Sequence, residues 1–276
     1  MVNKIKHIIN VIVSNFKSDL FKIIFKEPRY FFFLFKIQVL EKIFGDLYYL
    51  SPRHLLIKLF EDKNLQNINY KKLKKFGNYY LDPDKLENNL ILYSGGVGTN
   101  ISFDLALIKE YNCKAKLFDP TPESIEFMKN KVNSLLNFYP YAIYHENKIV
   151  KIFFDKYNLV KSNSIQNILN FDKNSFYHAQ AYNIPYLMNK FNDNKIDILK
   201  LDIEGVSIDV IKNCFKEQIF PSQIILAIEV PRNYLKFIKF YKELKILFLN
   251  LKNKYELINL RERSRGVEME ILLIKK

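Results

Sequence analysis

Glycine is the residue that this sequence uses most sparingly. Only 7 of its 276 residues are glycine, about a third of the roughly 7% that is usual. Such a chain is expected to keep glycine where the backbone tolerates no side chain. Three of the seven, Gly95, Gly96 and Gly98, lie within four positions. This cluster is therefore the first candidate functional segment.

Cysteine is also scarce, since Cys113 and Cys214 are the only two and lie far apart. No close Cys or Cys/His spacing indicates a zinc site or a disulfide framework. No His pair or carboxylate spacing indicates another metal, so no metal site is predicted. Two isolated thiols favour a reducing, cytoplasmic setting.

Long apolar runs are missing as well. Lysines interrupt every window of about 18 residues around the aromatic run at 30–35, so no membrane span is predicted. The basic N-terminal stretch lacks a small-residue cleavage site, so no signal peptide is expected. A hydrophobic fraction of 49% and a charged fraction of 26% exclude disorder of the whole chain. Its length predicts one large domain, or one domain plus an extension.

Acidic residues are outnumbered, with 29 Asp and Glu against 43 Lys and Arg, a net charge of +14. This excess favours an anionic partner such as nucleic acid, acidic lipid or a nucleotide-linked substrate. Compositional drift in an AT-rich genome would produce the same excess.

Two regions follow from the pattern along the chain. Residues 1–87 have helical apolar spacing and a basic run at 70–75, and are predicted to form a helical, basic N-terminal extension. Residues 88–276 alternate short apolar strands with helices, which predicts an α/β domain with a mostly parallel, doubly wound sheet. Within it, the pattern predicts a helix over 123–136, a hairpin over 141–154, loops over 156–194 with a helix near 186–191, and a closing antiparallel pair at 255–260 and 267–274.

Four predicted strands end in glycine or acidic residues, at the edge where doubly wound sheets bind ligands. The first ends in the glycine cluster, and the second ends at Asp119, where a carboxylate can accept hydrogen bonds from both ribose hydroxyls. The third ends at Asp202 and Glu204, and the fourth at Glu229. A glycine loop followed by an acid on the second strand predicts a nucleoside-bearing cofactor, either a dinucleotide or S-adenosylmethionine.

The spacing of the glycines separates these two cofactors. A dinucleotide fingerprint needs a third glycine three residues after the second, and here that position is Ile101. The Gly-Lys-Ser/Thr ending of a phosphate-binding P-loop is also absent. S-adenosylmethionine has no pyrophosphate and tolerates a looser loop, so it is the predicted cofactor.

Three segments, 93–104, 118–125 and 197–205, resemble the FkbM-type S-adenosylmethionine-dependent methyltransferases, and the resemblance spans about residues 88–276. It implies a class I methyltransferase fold, a Rossmann-like, seven-stranded, mostly parallel sheet. It also implies O-methylation of a hydroxyl of a sugar, glycan or natural product.

The resemblance also implies the site residues. Gly96 and Gly98 would line the methionine part of the cofactor, and Asp119 would bind the ribose. Asp202 and Glu204 would lie near the transferable methyl as the catalytic residues, with Glu229 and His178 as further candidates for the general base. The predicted cofactor-binding residues are Ser94, Gly95, Gly96, Gly98, Asn100, Asp119, Pro120 and Thr121.

Several alternatives stay open. The glycine cluster and Asp119 could be plain turns, and Asp202 with Glu204 could cap a helix. The chain could be an inactive methyltransferase-fold binding protein. Its basic extension could dock on the inner face of an anionic membrane or contact a second subunit. A nucleic-acid methyltransferase is favoured only by charge, because the Asn183–Tyr186 segment, which resembles an Asn-Pro-Pro-Tyr loop, precedes the fourth predicted strand.

Overall fold

The computed structural model describes residues 72–154, 163–165, 173–229, 234–259 and 268–276. By compactness the chain divides into two units, Met1–His54 and Leu55–Lys276. The first unit lies outside the described residues, so the fold below is that of the second. The domain boundary predicted at residues 87/88 stays a prediction.

The second unit alternates strands and helices. Its strands are β1 (Lys74–Phe76), β2 (Tyr79–Leu81), β3 (Ile91–Gly95), β4 (Lys114–Phe118), β5 (Leu136–Tyr139), β6 (Ala142–Ile143), β7 (Lys148–Phe153), β8 (Phe176–Tyr182), β9 (Ile198–Leu201), β10 (Gln223–Glu229), β11 (Tyr255–Asn259) and β12 (Glu268–Lys275). Its helices are α1 (Ser102–Tyr111), α2 (Pro122–Met128), α3 (Ile184–Phe191), α4 (Ser207–Lys216) and α5 (Tyr234–Leu251).

Seven strands form the central sheet in the order β11-β12-β10-β9-β3-β4-β5. Strands β10, β9, β3, β4 and β5 run parallel, and β12 runs antiparallel between β10 and β11. This confirms the predicted fold class, including the closing antiparallel pair. The chain moves from β3 to β4 on one side and returns to β9 on the other, so the strand order reverses between β3 and β9.

Both faces of the sheet are covered, as its continuous apolar strands require. All four residues of β9 are buried. Alternate residues point to opposite faces, so Leu199 packs with one core cluster and Ile198 with the other. The first cluster includes side chains of α3, α4 and α5, and the second includes those of α1, α2 and the β1–β2 hairpin.

The β1–β2 hairpin corrects part of the predicted helical extension. Residues 74–81 form two antiparallel strands that pair around a turn at Gly77 and Asn78. Phe76, Tyr79 and Leu81 are buried in the second core cluster. The basic run at 70–75 is part of the predicted helical extension. In β2, however, buried residues alternate with a half-buried one, which is the pattern of a strand. The helical prediction for residues before 72 lies outside the described residues.

A buried glutamine fastens the segment after this hairpin to the central sheet. The Gln223 carboxamide at the start of β10 accepts a hydrogen bond from the Asp82 N–H and donates one to the Asp82 carbonyl, each 2.8 Å long. Gln223 is fully buried, and a buried amide with both functions paired is strongly placed. The hairpin is therefore an integral part of this unit.

A second sheet, of three strands, corrects two local predictions. Its order is β6-β8-β7, with β6 parallel and β7 antiparallel to β8. The predicted hairpin over 141–154 is therefore wrong, because β6 and β7 pair with β8 and not with each other. Strand β8 was predicted as loop, since His178 and Gln180 interrupt its apolar pattern.

Two predicted helices are present in the structure, but one of them is shorter than predicted. The helix predicted over 123–136 ends at Met128, and β5 begins at Leu136. The helix predicted near 186–191 is α3. Among the described helices, none is both long enough and apolar enough to cross a membrane.

Candidate active site

All four strand ends predicted to carry function lie at one edge of the central sheet. They belong to β4, β3, β9 and β10, which are consecutive neighbours. The strand order reverses between β3 and β9 at this edge, which is the usual ligand position in doubly wound sheets. The glycine loop after β3 and the Asp202 loop after β9 face each other across that reversal.

These two loops are in direct backbone contact at Gly96. The Asp202 N–H donates to the Gly95 carbonyl at 3.1 Å, and the Gly96 N–H donates to the Phe118 carbonyl at 3.0 Å. A Cβ on Gly96 would lie 1.9 Å from the Asp202 carbonyl oxygen, and its φ is +75°. Glycine is therefore required here by contact and by conformation alike.

Gly98 differs from Gly96 although its φ, +57°, is also left-handed. A Cβ on Gly98 would meet no atom within 4 Å, and the stretch from Gly98 to Asn100 is exposed. Asn100 accepts a hydrogen bond from the Ser102 N–H at the start of α1. The loop is thus packed at Gly96 and open at Gly98, where a ligand can approach the backbone.

The buried carboxylate of Asp119 holds the glycine loop in place. Its Oδ2 accepts from the N–H groups of Val97 at 2.8 Å and Gly98 at 2.9 Å. Its Oδ1 accepts a hydrogen bond from the Thr121 N–H at 2.9 Å. This bond closes a local turn, so Asp119 also has the turn role that the sequence left open. Such charge-assisted bonds are stronger than neutral ones. Asp119, the predicted ribose ligand, therefore also organises the loop.

The start of α2 adds a second tie to the loop. Thr121 is the N-cap, and its Oγ1 accepts from the Ser124 N–H and donates to Ser124 Oγ at 2.7 Å. Ser124 Oγ donates to the Gly98 carbonyl at 3.0 Å. The half-buried Pro120 links Asp119 to this cap. Pro120 and Thr121 thus lie next to the open part of the loop.

A buried lysine beneath the glycine loop was missed by the sequence reasoning. Lys200 Nζ donates to the Gly96 carbonyl at 2.7 Å and approaches the Gly95 carbonyl at 3.4 Å. Burial raises the pKa of the nearby Asp104 carboxyl, and the Lys200 charge opposes that rise. A lysine in the middle of a buried apolar strand was the available signal. Ser94 is also buried here, so its side chain faces the interior.

The two carboxylates after β9 have different surroundings. Asp202 Oδ2 accepts a hydrogen bond from Tyr79 Oη at 2.7 Å. The Glu204 backbone carbonyl accepts one from Ser164 Oγ at 3.1 Å. Helix α4 has Val206 as its N-cap, without a side-chain cap. Neither acid caps the helix, which removes that alternative.

Glu229, at the end of β10, joins this group of acids. Its Oε2 accepts from the Gly205 N–H at 2.5 Å. Burial and the neighbouring Glu204 charge raise the pKa of Glu229 well above its usual range, and Asp202 adds to the effect. The charges of Asp202 and Glu204, which follow β9, therefore act on Glu229 at the end of the neighbouring strand β10.

Strand β8 carries two further polar side chains, Tyr177 and His178. The sequence pattern did not predict this strand. The Tyr177 hydroxyl is buried and has no hydrogen-bond partner among the described residues. Burial, with the nearby Asp119 and Glu123 charges, raises the pKa of Tyr177. His178 on the same strand is exposed and packs against Phe176. Tyr177 is therefore near enough to Asp119 for the two charges to interact, whereas His178 is on the opposite, exposed face of the strand.

Two further segments have structural roles. Asn183 Oδ1 accepts from the Tyr186 N–H as the N-cap of α3, so the segment resembling an Asn-Pro-Pro-Tyr loop begins a helix. In the part of the chain that the structure describes, no group of three or more His, Cys, Asp or Glu side chains is arranged to hold a metal.

Comparison with known proteins identifies one family. Residues 96–257, more than half of the chain, match the family model described as the methyltransferase FkbM domain. This confirms the resemblance drawn from the three sequence segments. No protein of curated function matches the chain.

Solved structures show a weaker likeness to this chain. Fibrillarin from Methanococcus jannaschii, a pre-rRNA processing protein, is 12% identical, with 74% of this chain and 71% of that one covered at a TM-score of 0.36. TYW2 from M. jannaschii, in complex with AdoMet, is 14% identical over 75% and 87%, at 0.31. Precorrin-6y C5,15-methyltransferase from Geobacter metallireducens is 11% identical over 78% and 96%, at 0.36. These likenesses add nothing to the family match.

Replacing Gly96 by alanine is predicted to destabilise the protein by about 3 kcal/mol or more, because the new Cβ collides with the Asp202 carbonyl in a left-handed conformation. Gly98→Ala is the matched control and should cost about 1 kcal/mol, since only the conformational strain applies. Urea denaturation of both variants measures the difference. Equal losses would contradict the packing argument.

Glu229→Gln is predicted to change how stability depends on pH. The raised pKa means that the stabilising contribution of Glu229 is complete below its ordinary value of about 4.5 and is lost as pH rises through the higher folded-state value. Thermal unfolding at pH 5 and pH 8 should therefore show a smaller loss of Tm in the variant, by on the order of a few °C. Parallel pH curves for the two proteins would refute the raised pKa.

Proposed function

This chain belongs to the FkbM methyltransferase family, and on that premise we propose that it transfers a methyl group from S-adenosylmethionine to a hydroxyl of a sugar, glycan or natural product. The observation that carries the hydroxyl assignment is the position of Asp202 and Glu204 in the loop after β9, which contacts the glycine loop and is tied to Glu229 through Gly205. A hydroxyl acceptor must lose its proton, and carboxylates can receive it.

The glycine loop fits the cofactor. Gly98 leaves open space beside an exposed stretch of backbone, and Asp119 fixes the shape of that stretch. S-adenosylmethionine supplies an activated methyl group on a positively charged sulfur. The residues that would hold it are those from Gly96 to Asn100 together with Asp119 to Thr121.

Asp202 is the first candidate for the general base. It follows the strand next to the glycine loop and contacts that loop through its backbone, so it lies at the reversal of strand order where both substrates should meet. Glu204 is the second candidate. Glu229 is buried, which raises its pKa, and it accepts a hydrogen bond from the Gly205 N–H. We therefore assign it a supporting role for the segment that carries Glu204.

A second candidate function is a binding protein of the same fold without catalytic activity. Asp119 favours it, because its two oxygens already accept three backbone hydrogen bonds. A carboxylate has about four lone-pair sites, so less capacity is left for ribose hydroxyls than an unpaired acid would offer. Cofactor binding and turnover separate the two candidates.

Asp202→Asn is predicted to lower methyl transfer by about a hundredfold or more while the protein still binds S-adenosylhomocysteine, because the proton acceptor is lost. Asp119→Ala should instead raise the dissociation constant of the cofactor by about tenfold or more, because the loop loses its charged anchor. Calorimetric titration and transfer of labelled methyl from S-adenosylmethionine to methyl glycosides and nucleotide sugars measure the two effects.

The exposed Asp84 provides the control, since Asp84→Asn should change neither quantity. Failure of the wild-type protein to bind S-adenosylmethionine would refute the proposed function. Cofactor binding with transfer to amines and not to hydroxyls would refute the acceptor class.

A further inference from the structure

We propose that Tyr79, in the hairpin before the family domain, is a positioning residue of this active site. Its side chain holds the Asp202 carboxylate and packs against the lysine that supports the glycine loop. The inference rests on the proposed function, because it assigns Tyr79 a role through Asp202.

The hydroxyl of Tyr79 is the first element of this role. Tyr79 Oη donates to Asp202 Oδ2 at 2.7 Å. Asp202 lies in a loop after β9, where its side chain would otherwise have several rotamers. A short hydrogen bond to one carboxylate oxygen selects one of them and fixes where the other oxygen points. Tyr79 thereby determines the direction of the candidate base.

The ring of Tyr79 is the second element. Lys200 Nζ lies over it, 5.1 Å from the ring centroid, and a buried cation over an aromatic face is attracted to it. The same ammonium group donates to the Gly96 carbonyl. Lys200 lies in β9, and Asp202 follows directly after that strand. Tyr79 therefore contacts both the candidate base and the lysine that donates to the glycine loop.

The hairpin that carries Tyr79 is fixed well enough to position another residue. Tyr79 is buried, and its ring meets Phe103 edge-on at a centroid distance of 5.1 Å. The neighbouring Phe76 and Leu81 belong to the same core cluster. Just beyond the hairpin, Asp82 is hydrogen-bonded twice to Gln223. The hydroxyl is therefore presented from a packed element and not from a loose terminus.

Tyr79 lies outside the part of the chain that defines the family. The family model begins at residue 96, so the model match does not include the hairpin. The carboxylate most favoured as the base is nevertheless held by a residue from that preceding segment. Among the described residues, the catalytic unit therefore extends beyond the residues that the family model matches, to the hairpin that carries Tyr79.

Cofactor binding tests this role without knowledge of the acceptor. S-adenosylmethionine carries a positive sulfur and S-adenosylhomocysteine does not, so a correctly held Asp202 carboxylate should favour the former. Calorimetric titration of both compounds into wild type, Tyr79→Phe, Asp202→Asn and the double variant measures this preference. Tyr80→Phe is the matched control, since Tyr80 is the next residue of the same strand and its ring lies near Lys75.

Tyr79→Phe should weaken binding of S-adenosylmethionine by about tenfold and that of S-adenosylhomocysteine by less than about twofold, as expected for the loss of a hydrogen bond to a charged group. In the Asp202→Asn background the same change should have little further effect. Tyr80→Phe should leave both affinities unchanged, and thermal unfolding should show all variants folded.

Equal weakening for the two compounds, or the same effect of Tyr79→Phe with and without Asp202, would overturn the inference, because either result indicates a purely structural role. Absence of binding in the wild-type protein is a separate outcome. It would refute the proposed function, and the positioning role that depends on it would fall with it.

Discussion

The backbone contact between Gly96 and Asp202 is the constraint on which the site depends. Strands β3 and β9 are neighbours on either side of the reversal in strand order, so the loops that follow them meet there and nowhere else. The missing Cβ at Gly96 lets the Asp202 carbonyl approach the loop directly. The glycine loop and the candidate base are therefore fixed relative to each other, which is the kind of pre-organisation that methyl transfer requires.

Charge reinforces this contact from both sides of the loop. Asp119 accepts hydrogen bonds from N–H groups of the loop, and Lys200 donates to a carbonyl of the loop. The backbone amides and carbonyls of a tight turn point in different directions, so an acceptor and a donor are needed to satisfy both, and here one of each is charged. A loop held in this way pays little further ordering cost when a ligand arrives. The scarcity of glycine in the chain is consistent with this use, because the other loop positions keep side chains that make contacts.

The sequence was sufficient for the central sheet and its functional edge because parallel, buried strands have a strong pattern. Strand β9 is an apolar run followed by acids, and β3 ends in glycines, so the sequence pattern predicts the position of both strands. Strand β8 was not, because it lies in a half-exposed sheet and carries His178 and Gln180 among aromatic residues. The sequence also did not predict which strands pair in this sheet. Because β6 and β7 are neighbours along the chain, they were expected to pair with each other, but each pairs with β8.

The same limit explains why Tyr79 and Lys200 were missed while Asp119 and Asp202 were not. An acid at the end of a predicted strand can be recognised as a candidate from its position in the sequence. A tyrosine in a lysine-rich segment, 123 residues before the residue it contacts, cannot. Only the tertiary packing of the hairpin against Phe103 and the Asp82–Gln223 pairing bring that hydroxyl to Asp202. Candidate ligand-binding residues follow from local pattern, whereas residues that orient these candidates follow from packing. A site built from both kinds extends further along the chain than the segments that identify its family.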